Sequence, residues 1–136
     1  MEYRGQSADE LALVRGARDL GAKLVARTDE EIRVMNEAED EEEPFELCFT
    51  IPFTSERKRM SVVVRKQGQY LVFTKGADQV MLPRIDFSLE RSEEFMNGVE
   101  SDILEFAKRG LRVLVFAGRR ISNFDYENFK RELDLI

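Results

Sequence analysis

Residues 60–75 read MSVVVRK-QGQ-YLVFTK, two runs rich in β-branched and aromatic side chains parted by a short turn with glycine at its centre. Such side chains fit a pleated, half-buried surface. The first run alternates weakly, as a strand with one buried face does. Gln67-Gly68-Gln69 is short enough to fold the second run back onto the first, so the spacing predicts an antiparallel hairpin.

Further elements are legible around it. A third extended run covers 45–52, and shorter ones cover 22–27 (AKLVAR) and 31–35 (EIRVM), with Thr28-Asp29-Glu30 as the turn between them. Ser7 followed three residues later by Glu10 has capping-box spacing and opens a helical pattern through Leu11, Val14, Ala17, Arg18 and Leu20. Gly21 stands where a C-terminal cap glycine belongs. A short helix is predicted from Ala77 to Leu82, ending near Pro83. A longer one is predicted over 89–108, with Leu89, Phe95, Val99, Ile103, Leu104 and Phe106 as its apolar stripe and Gly110 as its end. LRVLVFAGR then reads as a buried strand, and 123–135 as a terminal amphipathic helix. Hairpins with helices alongside give an α+β fold, mainly antiparallel β-sheet flanked by helices.

The 136 residues make one domain, 1–136, large enough for a core without disulfides or metal. No apolar run approaches the ~20 residues that span a bilayer, and no signal-peptide pattern opens the chain, so a soluble chain is expected. The single cysteine, Cys48, lies in the apolar run FELCFTI and is expected to be a buried, inert thiol in a reducing compartment. The formal charge of −6 is local: residues 37–43 (EAEDEEE) hold six acids, and without them 21 acids face 21 Lys and Arg. Residues 36–43 are expected to form a solvated acidic loop. They lack the glycine and alternating oxygen ligands of an EF-hand loop. Histidine is absent, which removes His-dependent triads, histidine zinc sites and an imidazole base from this chain. Neither a Walker-type G-x-x-x-x-G-K-[ST] nor a G-x-G-x-x-G is present.

The chemistry concentrates in FTSERKRMSVVVRKQGQYLVFTKGA, residues 53–77. Phe53 stands just ahead of Arg57, Lys58 and Arg59, and Lys75-Gly76-Ala77 follows the hairpin. A ring beside cations offers a π surface for a base and positive charge for phosphates. Each residue also has a plainer reading. Phe53 is one of ten phenylalanines, most of which belong to a core. Arg59 and Arg65 could protect a strand edge. Lys75 could point to water, Arg112 could pair with a helix carboxylate, and Glu10 could serve only its cap.

Four segments together resemble the nucleotide-binding domain of P-type ATPases, in particular the phospholipid-translocating flippase branch. They are SADE-LALVRGAR (7–18), FTSERKRMSVVVR (53–65), KGADQVM (75–81) and KRGLRVLVFA (108–117), in the family's order. The second and third are specific, and the others are weak alone. The resemblance implies that Phe53 stacks on adenine and that Lys75 forms the pocket floor, with Gly76 and Ala77 removing bulk beside it. It places Arg57 and Lys58 toward the phosphates, Arg112 at the phosphate or ribose end, and Ser55 among the nucleotide-binding residues. Glu10 would bond the adenine amino group, and Met60 and Leu114 would wall the base. The family usually has proline where Ala8 stands.

What the resemblance implies about activity follows. The domain would bind ATP or ADP by the adenosine moiety and present the γ-phosphate to a separate phosphorylation domain of an ATP-driven phospholipid flippase. D-K-T-G-T, whose aspartate the family phosphorylates, is not in this sequence. The chain is therefore expected to be an excised, non-catalytic domain with Mg2+ bound mainly outside it. Its partners would be adenine nucleotide and the phosphorylation and actuator domains of the parent, at the cytosolic face of a membrane. Neither nucleic acid nor direct membrane contact is expected, and the isolated chain should be monomeric. Two other classes stay open at this level: a single-stranded nucleic-acid binder using RKRMSVVVRK with Phe53 and Tyr70, and an interaction module displaying the acidic run.

Overall fold

A computed structural model of the chain describes residues 7–86 and 92–134. Among these residues six strands form one antiparallel sheet in chain order: β1 (Ala22–Arg27), β2 (Glu31–Asn36), β3 (Glu41–Ile51), β4 (Arg59–Lys66), β5 (Gln69–Gly76) and β6 (Val115–Ile121). The helices described beside it are α1 (Ala8–Asp19), α2 (Asp78–Met81), α3 (Ser92–Lys108) and α4 (Asn123–Asp134). The α+β architecture expected from the sequence is the one observed.

The predicted hairpin forms its ladder from Arg59↔Gly76 to Lys66↔Gln69, so the turn itself is the two residues Gln67 and Gly68. Both have positive φ, 50° and 77°, the type I′ geometry whose twist matches the flanking strands. Cross-strand partners share a face. Phe49, Val63 and Val72 lie on one face together with Ile51, Ser61, Thr74 and Tyr70. Met60, Lys75 and Phe116 lie on the other, with Val62, Phe73 and Gly118.

Aromatic packing brings α4 to the first face. Tyr126 stacks on Tyr70 at 3.8 Å between centroids, and Phe129 meets Phe49 edge-on at 5.8 Å. Among the described residues, full burial is confined to Ser61, Val63, Val64, Gly76 and Met81, all at the middle of the sheet or just beyond β5. At the other end of the sheet α1 packs against β1. Its start is capped as read: Ser7 Oγ accepts from the Glu10 N–H at 3.2 Å.

Several expectations change. The acidic run is not a loop over 36–43, because β2 continues to Asn36 and β3 begins at Glu41, leaving only residues 37–40 as a turn. Cross-strand cations extend the strands: Arg33 pairs with Glu42 at 3.2 Å and Lys66 with Glu43 at 2.9 Å. LRVLVFAGR is not one buried strand. β6 starts only at Val115, since its partner β5 ends at Gly76 opposite it; Phe116 is 58% exposed on this edge strand. On α3, Met96, Val99 and Ile103 are half-buried, whereas Phe95, Leu104 and Phe106 are exposed. At about 100° per residue Leu104 lies well round the helix from that stripe. Leu89 and the predicted start of this helix fall outside the described residues. Pro83 does not end a helix but lies in a 3-10 turn, Leu82–Arg84, after α2.

Cys48 sits at the bulge of β3, between Leu47↔Val64 and Phe49↔Val63, and is half-buried rather than buried. Burial pushes its thiol above the ordinary range, away from the reactive thiolate. Burial, with the neighbouring Cys48, pushes the Tyr126 hydroxyl from 10.0 up to about 12. The folded chain thus keeps this proton at a pH where the unfolded chain has lost it, and stability falls as pH rises through that interval. Thermal melting should show a decline above about pH 10 that is shallower in Tyr126→Phe than in the wild type, to an extent that reports the phenol alone. Equal slopes in both proteins would assign the decline to other groups.

Candidate functional site

One segment differs from the hairpin it introduces. Between β3 and β4 the chain makes a turn in which Thr54 Oγ1 accepts from the Arg57 N–H at 3.1 Å and Thr54 O accepts from the Lys58 N–H at 2.8 Å. Lys58 has φ 53°, a left-handed conformation that costs a non-glycine residue on the order of 1 kcal/mol or more. Its carbonyl in turn accepts from the Ala77 N–H at 3.3 Å. Glycine at 76 makes that approach feasible: a Cβ there would stand 2.7 Å from Arg59 Cβ and 2.8 Å from Lys58 O. The 53–58 turn and the end of β5 are therefore seated against each other.

A cavity of about 850 Å³ opens beside this seat, lined on one side by Phe53, Ser55, Lys58 and Ala77. Asp9, Ala12 and Leu13 of α1 line it on another. Phe106 of α3 and the segment Leu111, Arg112, Val113 and Leu114 complete it. The volume lies in the range of small-molecule clefts. Phe53 is 62% exposed, which removes the core reading of this ring. Two cations, Lys58 and Arg112, and one carboxylate, Asp9, stand among apolar walls. Arg112 Nη2 pairs with Asp9 Oδ2 at 3.1 Å, with 85% of the arginine side chain exposed. A smaller hollow, about 320 Å³, lies along α3 at Glu94, Phe95, Gly98, Val99 and Asp102.

Of the residues singled out from the sequence, Phe53, Ser55, Lys58, Ala77, Arg112 and Leu114 meet at this cavity. Met60 and Lys75 are direct cross-strand partners on one face of the sheet, next to the cavity wall in sequence but not among its lining residues. Gly76 acts through the close approach just described. Glu10 adjoins Asp9 on α1, and it is Asp9 that lines the cavity. Arg57 is directed elsewhere. Its Nη1 donates to Ile51 O, Pro52 O and Arg59 O, and its Nη2 to Ser61 Oγ.

Sequence reasoning missed Asp9, Ala12 and Leu13. Their spacing of three and four residues is one helical stripe, which was absorbed into the cap and the apolar face of α1. It also missed Phe106, Leu111 and Val113, since an apolar run after a helix gives no sign that its first residues lie outside the strand.

Residues 3–135 match the family model described as P-type ATPase, cytoplasmic domain N. The chain is 36% identical over 130 residues, 95% of its length, to the phospholipid-transporting ATPase DRS2 of Saccharomyces cerevisiae. It is 40% identical over 138 aligned positions, 99% of its length, to the phospholipid-transporting ATPase DNF1 of Chaetomium thermophilum. To the human phospholipid-transporting ATPase IG it is 36% identical over 98% of its length. It spans 9%, 8% and 11% of those relatives respectively. No described helix is long and apolar enough to cross a membrane. With a family match over nearly every residue and relatives of one kind, the chain belongs to the P-type ATPase cytoplasmic domain N family.

Proposed function

We propose that this chain holds ATP or ADP by its adenosine end in the cavity of about 850 Å³, with adenine on the Phe53 ring. The observation that carries the reading is that Phe53 is 62% exposed on the wall that also bears Lys58. An aromatic side chain kept out of the core beside a cation suits a flat heterocycle bearing phosphates. Leu114 and Leu13 supply apolar walls, Ser55 a hydroxyl, and Ala77 a small side chain beside the seat. Lys58 and Arg112 take the phosphate end. Lys75 and Met60 extend the floor from the adjoining face of the sheet, and Glu10 reaches the adenine edge from α1. Gly76 keeps the floor and the Phe53 turn together.

In the parent protein the domain carries the nucleotide to a phosphorylation domain, with the actuator domain completing the cycle of an ATP-driven phospholipid translocase. Its contribution is positioning, which is most of what phosphoryl transfer asks of a protein. Mg2+ is held mainly outside this chain. The domain works at the cytosolic face of the membrane, and alone it binds without turnover. These assignments rest on the family and on its phospholipid-transporting relatives.

One stack and a few charge-assisted hydrogen bonds, less the cost of association, leave roughly 4–6 kcal/mol, a dissociation constant on the order of 0.1–1 mM. The terminal phosphate projects away from the chain, so ATP and ADP should bind alike and magnesium should help little. Amide shifts on titration of labelled chain would measure both constants; ATP binding tenfold tighter than ADP would refute the adenosine-end mode. Phe53→Ala should weaken both by about 5- to 150-fold, the ~1–3 kcal/mol of one base stack.

Asp9 competes with phosphate for Arg112 across an exposed pair. Such pairs are worth about 0.2–1 kcal/mol, so Asp9→Asn should tighten ADP binding by roughly 1.4- to 5-fold with little change in melting. Weaker binding in Asp9→Asn would mean that the carboxylate itself serves the ligand.

A further inference from the structure

We infer that Arg57 is a positioning residue for the proposed nucleotide site: its guanidinium fixes the turn that aims Phe53 and Lys58, and it does not bind phosphate. The inference rests on the adenine-binding reading above and assigns Arg57 a role different from that of its neighbour Lys58.

Phe53 lies between Pro52 and Thr54, and Arg57 holds both. Its Nη1 donates to Pro52 O at 3.0 Å, while its own N–H donates to Thr54 Oγ1 at 3.1 Å. The same Nη1 reaches Ile51 O at 3.3 Å and Arg59 O at 3.2 Å, joining the last residue of β3 to the first of β4. Nη2 donates to Ser61 Oγ at 3.3 Å, and Ser61 shares a 2.8 Å hydrogen bond with Thr74 Oγ1 of β5. Ser61 is 5% exposed, so the guanidinium is anchored to a buried side chain. Ser61 and Thr74 lie on the face of the sheet opposite Met60 and Lys75. The guanidinium is thereby directed to the face opposite Lys75 and Met60, the floor of the proposed site. Three main-chain carbonyls and a hydroxyl suit a planar fork of fixed donors, and an ammonium on a flexible stem cannot span them.

Arg57→Lys separates positioning from charge. In the full 136-residue chain it should weaken adenosine, ADP and ATP by the same factor, about fivefold or more, because what is lost is the aim of the Phe53 ring. In a Phe53→Ala background the same change should have no further effect on any of the three. Without ligand, amide order parameters at 53–58 should fall from the rigid ~0.85 toward ~0.6 in Arg57→Lys, with the sheet resonances in place. Thr54→Val, at an exposed position, removes one side of the turn and should give the same uniform loss should Arg57→Lys fail to fold.

Wild-type affinity in folded Arg57→Lys would overturn the inference. So would a loss that grows from adenosine to ATP, or one that persists undiminished beside Phe53→Ala. These outcomes leave adenine binding itself standing. A wild-type chain that binds neither adenosine nor ADP at millimolar concentration would overturn both readings together.

Discussion

The β4–β5 ladder is the constraint on which the other parts depend. Eight pairs run from Lys66↔Gln69 to Arg59↔Gly76, and the two-residue turn at one end sets them all. Because side chains alternate along a strand, a slip of one residue would exchange the face of Val63 and Val72 for that of Val64 and Leu71 and break the pairing on both. At the far end the same register puts Gly76 beneath Arg59 and Lys58 and sets Met60 opposite Lys75. The candidate site thus inherits its geometry from a turn at the other end of the hairpin.

That dependence explains what could be read in advance. Gln67-Gly68 between β-branched runs announces the hairpin locally, and Ser7 with Glu10 announces the start of α1. Phe53, Lys58 and Ala77 were legible because they sit within a few residues of strand ends. What was not legible depends on partners distant in the chain. Glu42 and Glu43 count as an acidic loop until Arg33 and Lys66 are placed across from them. Residues 111–114 have the composition of a strand, yet β5 has turned into α2 by Asp78 and offers them nothing to pair with. The four hydrogen bonds donated by the Arg57 guanidinium give no sign in the sequence, where RKR reads as three equivalent cations.

The distribution of apolar surface bears on function in the same way. Full burial, among the described residues, is confined to the middle of the sheet and to Met81 just beyond β5, while Phe53, Phe106, Leu111 and Leu114 remain exposed around one cavity. Scattered apolar residues on a surface need no explanation, but several around one concavity with convergent cations are what makes this cavity the candidate site. Leaving them unburied sacrifices core for a surface that a ligand can cover.

The two sides of that cavity are held differently, and this bears on how it could work. The Phe53 wall is tied into β3, β4 and β5 through Arg57, Ser61, Thr74 and the Lys58–Ala77 hydrogen bond. Across from it, Arg112 and Asp9 are joined by one exposed ion pair, which water screens and a polyanion can displace. On the proposed adenine-binding reading, the wall that presents the ring is the one held by the Arg57 hydrogen bonds, because a positioned ring needs a fixed aim. The wall proposed to accept phosphates carries its charge on a long, exposed side chain. That combination, one end fixed and the other left to be engaged, suits a domain proposed to position a nucleotide for chemistry done elsewhere.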